Sequence, residues 1–222
     1  MTLKTVTGSA VGTPDSLALR EILTDYETQD GPRYATLGVP LSYIPVKSPD
    51  RHSVACGDNI FFLSHSQFML WMALQVPQSE TEIQELLASG INGLVDSGPL
   101  ADEWSALQEL RLVVQLPGDQ SDIFDWNEVS LVAQGFGLGE DLEMPGAFLV
   151  GLQNGEVAAR VNLAGYLFWA FCDNRRSVPE IVELVCGALS VSQDHGLQLL
   201  DIPLLLRGLL QSGALRLNWL NA

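Results

Sequence analysis

Apolar residues in this chain fall into two patterns that occur twice in the same order: short alternating runs, then runs with helical spacing. Residues 53–56 and 59–63 alternate on either side of Gly57-Asp58, and residues 147–152 and 156–161 do so around Asn154-Gly155, so each set predicts a β-hairpin. A helix follows each hairpin, expected at 65–74 and at 164–172. Next in each set stands a capping box. Ser79 with Glu82 precedes Ile83, Leu86 and Leu87, and Ser177 with Glu180 precedes Ile181, Leu184 and Val185, so the serine hydroxyl and the glutamate can each satisfy an orphan amide of the first turn. Residues 102–110 predict a further helix and 112–116 a strand. In the second set these become 195–211 and 215–219, with Asp194 and Asp201 as N-caps and Gly213 as the stop. Pro203 forbids one straight helix over 195–211, which is therefore kinked or split at Asp201.

The two sets are in register. An offset of 98 carries Gly57 onto Gly155, Trp71 onto Trp169, Ser79 onto Ser177, Glu82 onto Glu180, Ile83 onto Ile181, Glu85 onto Glu183 and Leu86 onto Leu184, which is 7 identities over the 31 positions 57–87. About two would arise by chance at this composition, so a diverged internal duplication is expected, with both tryptophans as core anchors. Residues 37–46 predict an edge strand, because Pro40 and Pro45 cannot donate to a ladder, and 129–133 another strand. Residues 90–99 and the glycine-rich 135–139 read as loops, and 17–26 as a short helix after a Thr/Ser/Gly/Pro-rich tail. The expected fold class is α+β, two tandem winged helix-turn-helix units. Residues 1–35 form a tail and short helix, 36–118 a first unit and 119–222 a second.

Composition narrows the function classes. The 11 basic and 27 acidic residues give a formal charge of −16, spread over both halves, and residues 119–143 hold seven acids and no base. Such a surface repels nucleic-acid phosphates and attracts basic peptides or proteins. Three cysteines with no CxxC pair suit buried thiols in a reducing compartment. No apolar run is long enough to span a bilayer and the first residues lack a secretory core, so the expected location is cytoplasmic, with no membrane partner. His52, His65 and His195 show no metal-ligand spacing, and phosphate-cradling or nucleophile motifs are absent. No catalytic residue, metal or cofactor is expected.

The residues of the second set also carry a family resemblance. Residues 155–169 ending in Tyr166-Leu167-Phe168-Trp169, then Cys172-Asp173-Asn174, then Ser177-Val178-Pro179-Glu180-Ile181, then 209–215, follow a pattern over about 60 residues. This pattern resembles the RiPP recognition element, the PqqD-like domain that captures the leader of a ribosomally synthesised precursor peptide. Asn174 stands where the family usually has glycine, and Leu163 follows rather than precedes Asn162. The resemblance implies that the leader adds as a β-strand along an edge formed by Glu156, Val157, Ala158, Ala159, Arg160 and Val161. It also implies a groove wall from Leu197, Leu200, Leu204 and Leu205. It further implies a non-catalytic accessory subunit in a hetero-oligomer with a peptide-modifying enzyme. A non-haem iron oxidase is the analogy. The first unit, including Phe61 on its edge, would serve for docking. The alternative reading is a winged-helix DNA-binding transcriptional regulator. Against it, the segment 195–211 holds one base, Arg207, and 102–110 holds none.

Overall fold

The computed structural model describes residues 31–41, 51–93, 100–119 and 122–220. The expected tail, the helix at 17–26 and the second part of the strand at 37–46 lie outside the described residues. The fold is α+β, with seven α-helices and four three-stranded antiparallel sheets among the described residues.

The first half runs β1 (Arg33–Thr36), β2 (Val39–Leu41), β3 (Arg51–Cys56), β4 (Asn59–Ser64), α1 (His65–Ala73), β5 (Gln78–Ser79), α2 (Glu80–Gly93), α3 (Leu100–Glu109) and β6 (Val113–Gln115). A single 3-10 turn, Asp122–Asp125, leads into the second half. That half runs β7 (Val129–Ala133), β8 (Phe136–Glu140), β9 (Ala147–Gly151), β10 (Val157–Asn162), α4 (Leu163–Ala170), β11 (Asp173–Ser177), α5 (Val178–Leu189), α6 (Gln193–Leu200), α7 (Ile202–Gln211) and β12 (Leu215–Trp219).

Strand orders repeat with the elements. The sheet β5-β1-β6 of the first half has the order β11-β7-β12 in the second, and β2-β3-β4 has the order β8-β9-β10. Isolated backbone bonds repeat as well. Thr36 donates to the Leu74 carbonyl (3.1 Å) as Ala133 does to Cys172 (2.9 Å), and Leu37 donates to Leu112 (3.0 Å) as Gln134 does to Ala214 (2.9 Å). The two tryptophans sit in matching helices. Trp71 is fully buried and donates Nε1 to the Leu37 carbonyl at 3.0 Å, and Trp169 donates to the Ala214 carbonyl at 2.9 Å. Each indole thus fills core volume while its one polar atom closes the junction of a first and a last strand.

Both capping boxes form. Ser79 N–H donates to Glu82 Oε2 at 2.6 Å and Glu82 N–H to Ser79 Oγ at 3.3 Å, while Glu180 accepts from both the N–H and the hydroxyl of Ser177 (2.7 and 3.0 Å). The segment at 195–211 is two helices that part at Asp201, which holds φ 39° as the N-cap of α7.

Three readings change. The glycine-rich 135–139 is not a loop but strand β8, where Gly135 (φ 83°) turns into the strand and Gly137 leaves room for the Tyr166 hydroxyl. Helix α2 runs on through Gly90 to Gly93, longer than its composition suggests. The Asn154-Gly155 turn is centred one residue earlier than expected. Gly155 N–H bonds the Leu152 carbonyl at 2.9 Å, leaving Gly155 (φ 87°) in the left-handed position that follows a turn over Gln153-Asn154.

One apolar cluster runs through both halves, from Leu37, Val54, Leu70 and Trp71 to Val150, Phe168, Ile181 and Leu205. Strand β12 is shared between them. It pairs along its length with β7, and its Leu217 bridges Leu37 in parallel and accepts from Gly38 N–H at 2.8 Å. Gly38 (φ 95°) is required there, since a Cβ would press on the Ala55 carbonyl. Beside it, Asn218 Oδ1 accepts from Gly57 N–H at the tip of the β3–β4 hairpin (2.8 Å), and Asn218 Nδ2 donates to Asn174 Oδ1 (3.0 Å). Ser130, fully buried, donates its hydroxyl to the same Asn174 oxygen at 2.8 Å. Asn174 holds φ 64°, a conformation asparagine tolerates better than most residues, so its presence where the resembled family has glycine keeps the backbone shape and adds an acceptor. At the far end of β12, the Arg111 guanidinium lies 4.4 Å over the Trp219 ring, whose Nε1 donates to the Arg111 carbonyl at 3.0 Å.

Candidate functional site

Strand β10 forms one edge of the sheet β8-β9-β10, pairing only with β9 among the described residues. Its side chains alternate as the hairpin dictates. Val157 is 53% exposed, Ala158 and Ala159 are half-buried, Arg160 is exposed and Val161 is fully buried; Glu156, exposed, lies just before the strand. The register with β9 slips between Val157 and Ala159, a bulge that leaves 159–162 as the regular part of the edge. Arg160 is tied down, its Nε donating to the buried Asp141 Oδ2 at 2.6 Å. The Glu143 N–H bonded to Asp141, and then Arg160, hold that carboxyl below the usual aspartate range against the opposing effect of burial.

The leucines expected as a groove wall are placed unevenly. Leu200 and Leu205 are fully buried, so they support the site from the core rather than line an open groove, and Leu204 is half-buried. The side chain of Leu197 lies outside the described residues. Leu205 and Val161 do come together, at Gly165 in the first turn of α4, where a Cβ would lie 3.1 Å from each. Helix α7 is therefore seated against β10 and α4 through Gly165, at van der Waals distance.

The first-half edge is β4, and it is more regular. All six pairs from Arg51↔Ser64 to Cys56↔Asn59 are in continuous register. Phe61, expected at a docking edge, points inward and packs on the core, while its neighbours Ile60 and Phe62 are each 49% exposed. Alternation along a strand makes this parity choice, and one inward leucine, Leu63, would have revealed it.

Two histidines that lie 13 residues apart in sequence meet where β3 adjoins α1. His52 Nε2 and His65 Nδ1 are 3.1 Å apart, and the His52 ring stacks on Phe68 with centroids 4.2 Å apart. Burial, and then His65, lower the His52 pKa, so it is neutral at pH 7. Among the described residues no three His, Cys, Asp or Glu side chains group to hold a metal ion. The three thiols are buried. Burial pushes Cys56 up to about 11, partly offset by the Trp219 N–H, raises Cys172 well above the usual thiol range and raises Cys186. Thiols so protonated are poor nucleophiles. Arg207, the one base of the segment 195–211, is half-buried, and its pKa is lowered by burial and by the nearby Arg33. No helix among the described residues is long and apolar enough to cross a membrane. Comparison with protein-family models, with curated proteins and with solved structures found no match for the chain.

Proposed function

We propose that the chain is a non-catalytic peptide-binding protein, built as two tandem winged helix-turn-helix units of the PqqD-like kind. In this reading it captures the leader of a ribosomally synthesised precursor peptide and presents it to a partner modifying enzyme. The observation that carries the reading is the edge of β10 at 157–161, which pairs with β9 alone among the described residues, with helix α7 seated beside it through Val161, Gly165 and Leu205. An extended peptide completes the sheet there. Its backbone pairs with the outward amides and carbonyls of 159–161, and its inward side chains meet Leu204. The bulge at Ala158 sets the register, because pairing cannot run past it unbroken. A half-buried Arg207 leaves α7 without an outward cation for phosphate, which weighs against the DNA-regulator alternative.

Calorimetry with the precursor's leader peptide tests the proposal. Ala159→Pro removes an edge amide within the paired stretch and is expected to weaken binding about tenfold or more, and Val157→Pro, beyond the bulge, to weaken it less, with circular dichroism unchanged. Unchanged affinity in both variants rejects the β10 site. Salt-sensitive micromolar binding to duplex DNA would favour the regulator instead.

A further inference from the structure

The outer face of the sheet β8-β9-β10 is largely apolar and, among the described residues, uncovered. Phe136 (43% exposed), Leu138 (43%) and Val157 (53%) lie on it, and Leu142 (97%) and Met144 (42%) stand on the β8–β9 loop at its border. Phe136 and Val157 both pair with Gly151, one from each side, so they share a row across the sheet. Glycine contributes no side chain to that row, and Leu138, at a bulge of β8, folds over it with Cδ1 3.0 Å from where a Cβ would stand. The strands therefore converge their apolar groups on one patch, while Val150 and Val161 on the opposite face are fully buried in the core. Exposed apolar patches of this kind mark interaction surfaces.

The border of the patch is acidic. Glu156 precedes Val157 and Glu143 lies in the loop, while Arg160, paired with Leu149 on this face, is committed to Asp141. A second copy of the chain would bring two such borders, and two formal charges of −16, face to face. An anionic membrane would be repelled in the same way. We propose that this face docks a partner protein through a segment of the complementary pattern, apolar side chains at the centre with lysines or arginines around them. The site uses the face of the sheet and leaves the β10 edge to the captured peptide.

Nuclear magnetic resonance on the full chain tests this, with a short synthetic peptide alternating leucine and lysine as the probe and its leucine–glutamate and serine–lysine counterparts as controls. The leucine–lysine peptide is expected to shift the amides of 137–140, Gly151 and Val157, with affinity falling as salt rises. The double substitution Phe136→Asp, Leu138→Asp should weaken it about tenfold or more, and Phe136→Ser, which is milder if the double variant misfolds, several-fold. Equal binding of the leucine–glutamate or serine–lysine peptide overturns the proposal. So do shifts confined to 159–162 or to Ile60 and Phe62, or wild-type affinity in the substituted chains. Dimerisation that the double substitution abolishes would assign the face to a second copy. Leader binding at β10, measured separately, stays intact if only this docking inference fails.

Discussion

The hairpins β3–β4 and β9–β10 occupy the same place in the repeated order of elements, yet one faces the molecule and the other faces solvent. At the first tip Cys56 is fully buried and Gly57 is bonded to Asn218, 161 residues away, and the ladder behind it is unbroken. At the second tip Gln153 to Glu156 are exposed and the turn is closed by its own side chains, with Glu156 N–H on Asn154 Oδ1 at 3.1 Å. The ladder there is bulged on both edges. One hairpin thus serves internal cohesion, while the other stays accessible. In the function proposed above, that difference would let the molecule hold itself together and still offer an edge.

The largest expected effects probe the shared core. Trp71→Ala and Trp169→Ala should each cost about 3–5 kcal/mol through the cavity left behind, with the fully buried Trp71 at the upper end. Denaturant unfolding followed by both fluorescence and circular dichroism should show one coincident transition for the parent and for either variant. Two separated transitions would mean that the halves are independent. Next, Asn218→Leu leaves Gly57 N–H without its partner and Asn174 Oδ1 with Ser130 alone, and should cost about 1–3 kcal/mol, whereas Asn154→Ala at the exposed tip should change stability by less than about 0.5 kcal/mol. Equal effects at the two tips would erase the comparison.

Much of this asymmetry is invisible in the residues themselves. Hairpins, capping boxes, the break at Asp201 and the strand at 129–133 follow from local rules, and the structure places them within a residue or two. Strand β1 escaped because Arg33–Thr36 is short and carries a buried arginine, and β8 because glycine in a strand makes sense only once Tyr166 is seen against Gly137. The edge position of β10 was legible from the hairpin, but the burial of Leu200 and Leu205 was not. A leucine-rich helix gives no sign of which leucines meet a groove and which meet the core until its neighbours are placed. The His52–His65 contact likewise depends on tertiary placement.

The smallest expected effects are electrostatic and separate the two halves by pH. His52 has a folded pKa below its ordinary value, so its contribution is present above about pH 6.5 and is lost as pH falls through the folded pKa. His52→Gln should remove that step, which belongs to the first half alone. A second decline is shared. For Glu82, burial acts upward but the Ser79 N–H, the Ser79 hydroxyl and Arg33 outweigh it, and for Glu180 the Ser177 N–H and hydroxyl dominate; both carboxyls end below the usual range. Their stabilisation is therefore present above about pH 4.3 and is lost as pH falls further, a loss that Glu82→Gln and Glu180→Gln should each reduce in thermal melts across that window.

The bond from Asn218 to Gly57 also bears on the time course of folding. Loop closure grows only logarithmically with span, so joining residues 161 apart instead of half that distance costs about 0.6 kcal/mol more at equilibrium, little beside the apolar area the union buries. Rate is another matter, since contacts of such high sequence separation must wait for a long diffusive search. The two hairpins can zip within their own halves, but the seam along β12 can close only once distant parts of the chain find each other. The strand that joins the two halves is also the one expected to set the folding speed.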